Sequence, residues 1–144
     1  MVSYWDTSAV VPLLTEEPTT AAMRRKLAMV SLVWTWWGTE VECISAIARK
    51  SREGLPPDLA TAATETLAIY LESWDVVEPS QDLKTLALRL VRVHGLRAAD
   101  ALQLAAAGIV AEGNAEGIVF ITQDRRLADA AEREGFRLAF REPN

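Results

Sequence analysis

The residues of this chain with the clearest chemical potential are acids placed where strands end and helices begin. Asp6 closes the short apolar stretch Val2-Ser3-Tyr4-Trp5 and is followed at once by Thr7 and Ser8. Asp124 follows the apolar run Gly117 to Ile121 by way of Thr122 and Gln123. Asp100 lies in the first turn of a helical segment, off the stripe made by Leu102 and Ala106, and Glu40 and Glu42 lie in the first turn of another. On a helix Glu40 and Glu42 point about 200° apart, so at most one of them faces a common cleft. An ionised carboxylate at the end of a buried strand is costly without a partner. Several carboxylates brought to one edge repel each other unless a cation sits among them. The cation that suits an all-oxygen donor set is Mg²⁺ or Mn²⁺. Taken singly, each helix-start acid has a plainer reading, because the dipole and free N–H groups of a first turn stabilise any carboxylate.

Other chemistries find little support. The chain has one cysteine, Cys43, inside a helical pattern, and one histidine, His94, between a helix and Gly95. That excludes a disulfide or a His/Cys zinc site and leaves Ser8 without a natural triad partner. Cys43 reads as a small core residue, and His94 as a surface or capping residue. No Gly-x-Gly-x-x-Gly or P-loop occurs. The net charge of -5 argues against a protein that coats nucleic acid through general basicity. It leaves room for an enzyme that holds nucleic acid through metal ions and local arginines such as Arg97, Arg125 and Arg126, set near the acids. No segment has the charge and apolar pattern of a signal peptide or the length of a membrane span, so a cytoplasmic protein is expected.

These acids need elements to bring them together. The 144 residues, half of them hydrophobic, suit a single domain over 1–144 with a proper core. Val2 to Trp5 reads as a buried strand, with a helix over Ala9 to Leu14 that Thr7 or Ser8 caps. A second helix runs from Pro18 or Thr19 to about Ala28, and Ser31-Leu32-Val33 is a brief second strand. Trp34, Trp36 and Trp37 fall in a loop before Gly38, either packed under the next helix or forming a partner surface. That helix spans Thr39 to Glu53, with Val41, Ile44, Ser45 and Ala48 as its apolar stripe. Pro57 opens a helix to Ser73 that buries Leu59, Ala63, Leu67 and Tyr70. Trp74 to Glu78 is a third strand, which places Trp74, like Trp5, in the core. Ser80 caps a helix that ends at His94-Gly95, and a further helix runs from Leu96-Ala99 to Gly113. Gly117 to Ile121 is a strand covered on both faces. A helix over Arg125 to Glu134 and a strand over Phe136 to Phe140 complete the chain, with a loose tail from Arg141. Strands separated by helices predict an α/β fold with a mainly parallel sheet, whose ligands bind at the carboxyl ends of the strands.

Four stretches in order resemble a PIN-domain ribonuclease of the kind found as VapC-type toxins of toxin–antitoxin pairs. They are Trp5-Asp6-Thr7-Ser8-Ala9; Glu42-Cys43-Ile44-Ser45-Ala46-Ile47-Ala48-Arg49; Leu96 to Ala105 around Asp100; and Phe120 to Leu127 around Asp124, with Ala130-Ala131 following. The resemblance implies a three-layer α/β/α sandwich with a parallel five-stranded sheet in the order 3-2-1-4-5. It implies that Asp6, Glu42, Asp100 and Asp124 converge as the catalytic acids and ligands of Mg²⁺ or Mn²⁺, with Glu42 favoured over Glu40. Thr7, Ser8, Thr122 and Arg97 would then position water or substrate. The implied activity is hydrolysis of RNA phosphodiester bonds, and the implied partners are RNA, a second copy in a homodimer and a cognate antitoxin. One departure is Pro12, where many relatives carry a lysine. The alternatives are a non-catalytic PIN-like module that binds RNA or protein, or a different acid-rich Mg²⁺-dependent phosphotransfer or phosphatase enzyme. A phosphotransfer receiver needs adjacent acids before Asp6 and a late lysine, and a dehalogenase-like phosphatase needs Asp-x-Asp. Both patterns are absent.

Overall fold

A computed structural model describes residues 1–138 of the chain. Five strands form one sheet in the order β3-β2-β1-β4-β5, and every neighbouring pair is parallel. The strands are β1 (Val2–Trp5), β2 (Leu32–Trp36), β3 (Asp75–Val77), β4 (Ile118–Ile121) and β5 (Arg137–Leu138). The helices are α1 (Thr7–Leu14), α2 (Thr20–Met29), α3 (Thr39–Arg52), α4 (Pro57–Ser73), α5 (Gln81–His94), α6 (Ala98–Ala111) and α7 (Arg125–Arg133). The end of the expected last strand and the tail fall outside the described residues. No helix among the described residues is long and apolar enough to cross a membrane.

Alternation along the strands splits the core into two layers. Tyr4, Trp36 and Phe120 face one side, where Leu90 of α5, Leu104 of α6 and Leu127 of α7 cover them. Trp5, Val33, Val119 and Ile121 face the other, against Val10 of α1, Met23 of α2, Cys43 of α3 and Leu67 of α4. The result is the three-layer sandwich, helices α1–α4 on one face and α5–α7 on the other. β4, buried at every position, is the doubly covered strand its apolar run predicts.

Several expectations give way. β2 continues through Trp36, so Trp34 and Trp36 are strand residues rather than loop residues. Their alternation with Val33 and Thr35 satisfies the two-residue period of a strand, and Trp36 pairs in register with Val77. Trp37 alone of that cluster is exposed, at 53%. Trp74 caps α4 instead of joining β3 and stacks on Tyr70 with ring centroids 4.6 Å apart. α1 begins at Thr7, so Asp6 takes the N-cap position, and neither Thr7 nor Ser8 caps the helix. The buried stripe of α3 is Thr39, Cys43 and Ile47, while Val41, Ile44, Ser45 and Ala48 face outward. Leu59 is also exposed. His94 is not a surface residue: its ring is packed away and bonds Glu134 Oε2 at 2.8 Å, a carboxylate that Arg89 also reaches. Burial pushes the Cys43 thiol up to about 12, as befits an inert core residue.

Candidate active site

β1 lies between β2 and β4, so the chain leaves β1 in one direction and returns on its other side. That reversal opens a crevice beyond the carboxyl ends of β1 and β4. Trp5 and Ile121 pair in register, and the residues that follow, Asp6 and Thr122, therefore emerge side by side. The Asp6 N–H donates to the Ile121 carbonyl at 3.2 Å, which extends the ladder by one rung. Glu42 approaches from α3 on one face of the sheet and Asp100 from α6 on the other. All four acids, Asp6, Glu42, Asp100 and Asp124, line one open cleft of about 660 Å³, together with Thr7 and Ser8. Glu40 points elsewhere, as the 200° separation requires.

Asp6 is 4% exposed. Burial pushes its carboxyl up from 3.8 to about 7, against hydrogen bonds from Ser8, Thr122 and nearby backbone that favour the charged form. Among the described residues, no basic side chain contributes to holding that charge. Glu42 is raised by burial and by Asp100, and lowered by its bonds to Gln103 and Thr7. Asp100 is raised by burial and by Asp124, and lowered by Arg97 and Arg126. The acids thus feel one another across the cleft.

The loop after β4 is tied to α1 by a small network. Ser8 Oγ donates to Asp6 Oδ1 at 2.8 Å and accepts from the Gln123 N–H at 2.8 Å. It also lies 3.2 Å from Thr122 Oγ1, which accepts from the Asp124 N–H at 3.0 Å. Asp124 caps α7 by accepting from the Leu127 N–H at 3.1 Å. Pro12 has a local consequence here. It has no N–H to donate to the carbonyl four residues back, which is that of Ser8, and the Gln123 side-chain amide takes that carbonyl at 2.7 Å.

Thr122 does not line the cleft but stands beside Ser8 and favours the charged form of Asp6, and Arg97 stands outside it at the N-terminus of α6. Arg125 and Arg126 are likewise exposed and outside it. The cations that do line the cleft are Arg49 and Lys50 on α3, the latter 2.5 Å from Glu17. The residue the sequence reading passed over is Gln103, 1% exposed and bonded to Glu42. Its one signal was a polar side chain one turn after Asp100 in a run of alanine and leucine.

Among the described residues no three acidic, histidine or cysteine side chains form a ready metal cage. The four carboxylates share a cleft rather than a closed coordination sphere. That arrangement still fits Mg²⁺, which keeps several waters and is held by one or two carboxylates plus substrate phosphate. The donor set is all oxygen, and among the described residues the buried carboxyl of Asp6 has no basic partner.

An acid-lined cleft at the reversal point of a parallel sheet in this strand order defines a class of α/β protein, and the comparisons give the class its family. The PIN domain model matches residues 3–133, and the chain belongs to that family. The receiver and dehalogenase-like readings therefore fall away. PAE2754 from Pyrobaculum aerophilum is 26% identical, with a TM-score of 0.64 over 90% of this chain and 79% of that one. VapC20 of Mycobacterium tuberculosis, described as a toxin cleaving the sarcin–ricin loop, is similar at 22% identity, with a TM-score of 0.70 over 95% of this chain and 98% of that one. FitAcB from Neisseria gonorrhoeae gives 17% identity and a TM-score of 0.71 over 96% of this chain and 97% of that one. The last two likenesses speak to fold alone. No curated protein matches the chain.

Proposed function

We propose that this chain is a single-domain, divalent-metal-dependent endoribonuclease and the toxin of a toxin–antitoxin pair. The observation that carries the nuclease reading is the arrival of Asp6, Glu42, Asp100 and Asp124, from four separate elements, along one cleft. The toxin reading is supported by structural neighbours described as a toxin and as a toxin–antitoxin complex. A homodimer belongs to the same proposal.

Phosphodiester hydrolysis needs an activated water and neutralisation of charge on the phosphate. Asp6, Glu42 and Asp100 would hold Mg²⁺ or Mn²⁺, with Asp124 holding a second ion or orienting the attacking water. When bound, such an ion lowers the pKa of a water and offsets phosphoryl charge. Ser8 fixes one oxygen of Asp6, and Gln103 fixes one oxygen of Glu42. Arg49, on the cleft wall, would contact an RNA phosphate. Thr7 lines the cleft with Glu42 and would bond water or substrate there.

The test is Asp100→Asn, which keeps shape and removes charge. Cleavage of RNA should fall by at least about 100-fold in a protein of unchanged fold, in line with the loss of a metal-assisted step. Undiminished cleavage by a contamination-controlled Asp100→Asn sample would sink the reading and favour a non-catalytic binding module.

A further inference from the structure

Gln103, on α6, ties to three other elements at once. Its Nε2 donates one hydrogen to Glu42 Oε2 at 2.9 Å and shares the other between Thr39 Oγ1 and Thr7 Oγ1, each at 3.1 Å. Its Oε1 accepts from the Tyr4 hydroxyl at 2.5 Å. Tyr4 is central in β1 and fully buried. A primary amide has donors at one end and an acceptor at the other. Turned over, Gln103 would set its carbonyl against the Glu42 carboxylate, acceptor to acceptor. The Tyr4 hydroxyl adds to that preference by donating to the carbonyl end. Thr39 is itself held, accepting from the Trp36 N–H at 3.3 Å. The amide is thus locked from below by the sheet and presents its donors upward to the acid.

We propose that Gln103, oriented by Tyr4, is a positioning residue that fixes the Glu42 carboxylate for the divalent cation. It rests on the nuclease reading above, and Gln103 acts through Glu42 without touching substrate. Groups that orient a metal-ligating side chain typically contribute about 10–100-fold to metal affinity.

The experiment measures Mn²⁺ binding by calorimetry on folded protein, with melting curves and circular dichroism as controls, beside kcat and KM for RNA. Gln103→Met keeps volume and removes the donors. It should weaken Mn²⁺ binding by about 10–100-fold and lower kcat at limiting metal, while KM for RNA stays near wild type and excess Mn²⁺ restores part of kcat. Tyr4→Phe removes only the orienting hydroxyl and should weaken Mn²⁺ binding in the same direction by less. Added to Gln103→Met it should cause no further loss, because the two act through one chain of bonds. Wild-type Mn²⁺ affinity in folded Gln103→Met, or losses that simply add, would overturn the proposal. Should Gln103→Met fail to fold, wild-type affinity in Tyr4→Phe overturns it alone. Asp100→Asn separates the two readings. If Asp100→Asn also binds Mn²⁺ like wild type, the metal-dependent nuclease reading has failed. If it loses binding while Gln103→Met does not, only the role of Gln103 has.

Discussion

Asp6 sets the behaviour of the metal-free protein. Folding buries it and raises its carboxyl from 3.8 to about 7. Between those values the folded state binds more protons than the unfolded chain, so stability falls as pH rises and levels off above about 7. Glu42 and Asp100 are shifted in the same direction and add to the slope. In chelator, the melting temperature should therefore drop from about pH 5 to about pH 8. Asp6→Asn should flatten the slope and melt higher than wild type above pH 7, while Mg²⁺ or Mn²⁺ should raise the wild-type melting temperature by binding linkage. An unchanged slope in Asp6→Asn would mean that another group governs it. Thr35 offers a second check. Its hydroxyl is fully buried in β2 with no hydrogen-bond partner among the described residues. An unsatisfied buried hydroxyl costs about 1–3 kcal/mol, so the shape-matched Thr35→Val should be neutral or stabilising by about 1 kcal/mol in urea unfolding. A clear loss of stability would show that Thr35 has a partner after all. Asp6 and Asp124 stood out in the sequence because charge at a strand end is conspicuous, whereas Asp100 and Glu42 read as ordinary helix-start acids that only the resemblance singled out. Gln103 was not legible, because an amide inside an alanine-rich helix announces neither its burial nor its partners.

The elements show where periodicity stops being informative. α3 carries two apolar stripes, Cys43 and Ile47 on one side and Val41, Ile44 and Ala48 on another. Both satisfy the helical period, and only the tertiary packing of α1 and α4 against α3 decides which is inside. The alternation test would have separated β2 from a loop, but three tryptophans before a glycine obscured it. Strand order, by contrast, was read from a resemblance and not from any local pattern. The consequence for α3 is measurable. Ile47→Ala should cost about 2–5 kcal/mol, the range for a buried isoleucine. Val41→Ser, on the outer stripe, should stay within about 0.5 kcal/mol. Equal losses by chemical denaturation would contradict the orientation of the helix. Gln123→Ala should cost about 1 kcal/mol, since it releases the Ser8 carbonyl that Pro12 leaves open.

At the scale of the whole molecule, the outer stripe of α3 becomes a surface. Trp37, Val41 and Leu71 line one groove with Glu40 and Glu78, and Ile44 and Leu71 line the next with Glu40 and Glu72. Val41 also lines the acid cleft, so apolar surface and acid cleft are continuous. Every charged residue lining the two grooves is acidic. Under the toxin reading, the antitoxin segment that covers this surface is apolar and basic, and one of its arginines enters the cleft and competes with the metal through a charge-assisted contact. Expression of the chain alone should then arrest growth of its host, and the product of the adjacent gene should relieve the arrest. Asp100→Asn should abolish arrest. Trp37→Ala should leave arrest intact and weaken its relief, since an exposed tryptophan is a typical interface anchor, whereas Trp36 is 7% exposed and serves the core. Growth curves for these strains decide the matter. Equal arrest by wild type and Asp100→Asn would mean that toxicity is not nuclease action. Full relief of the Trp37→Ala protein would place the partner elsewhere on the surface.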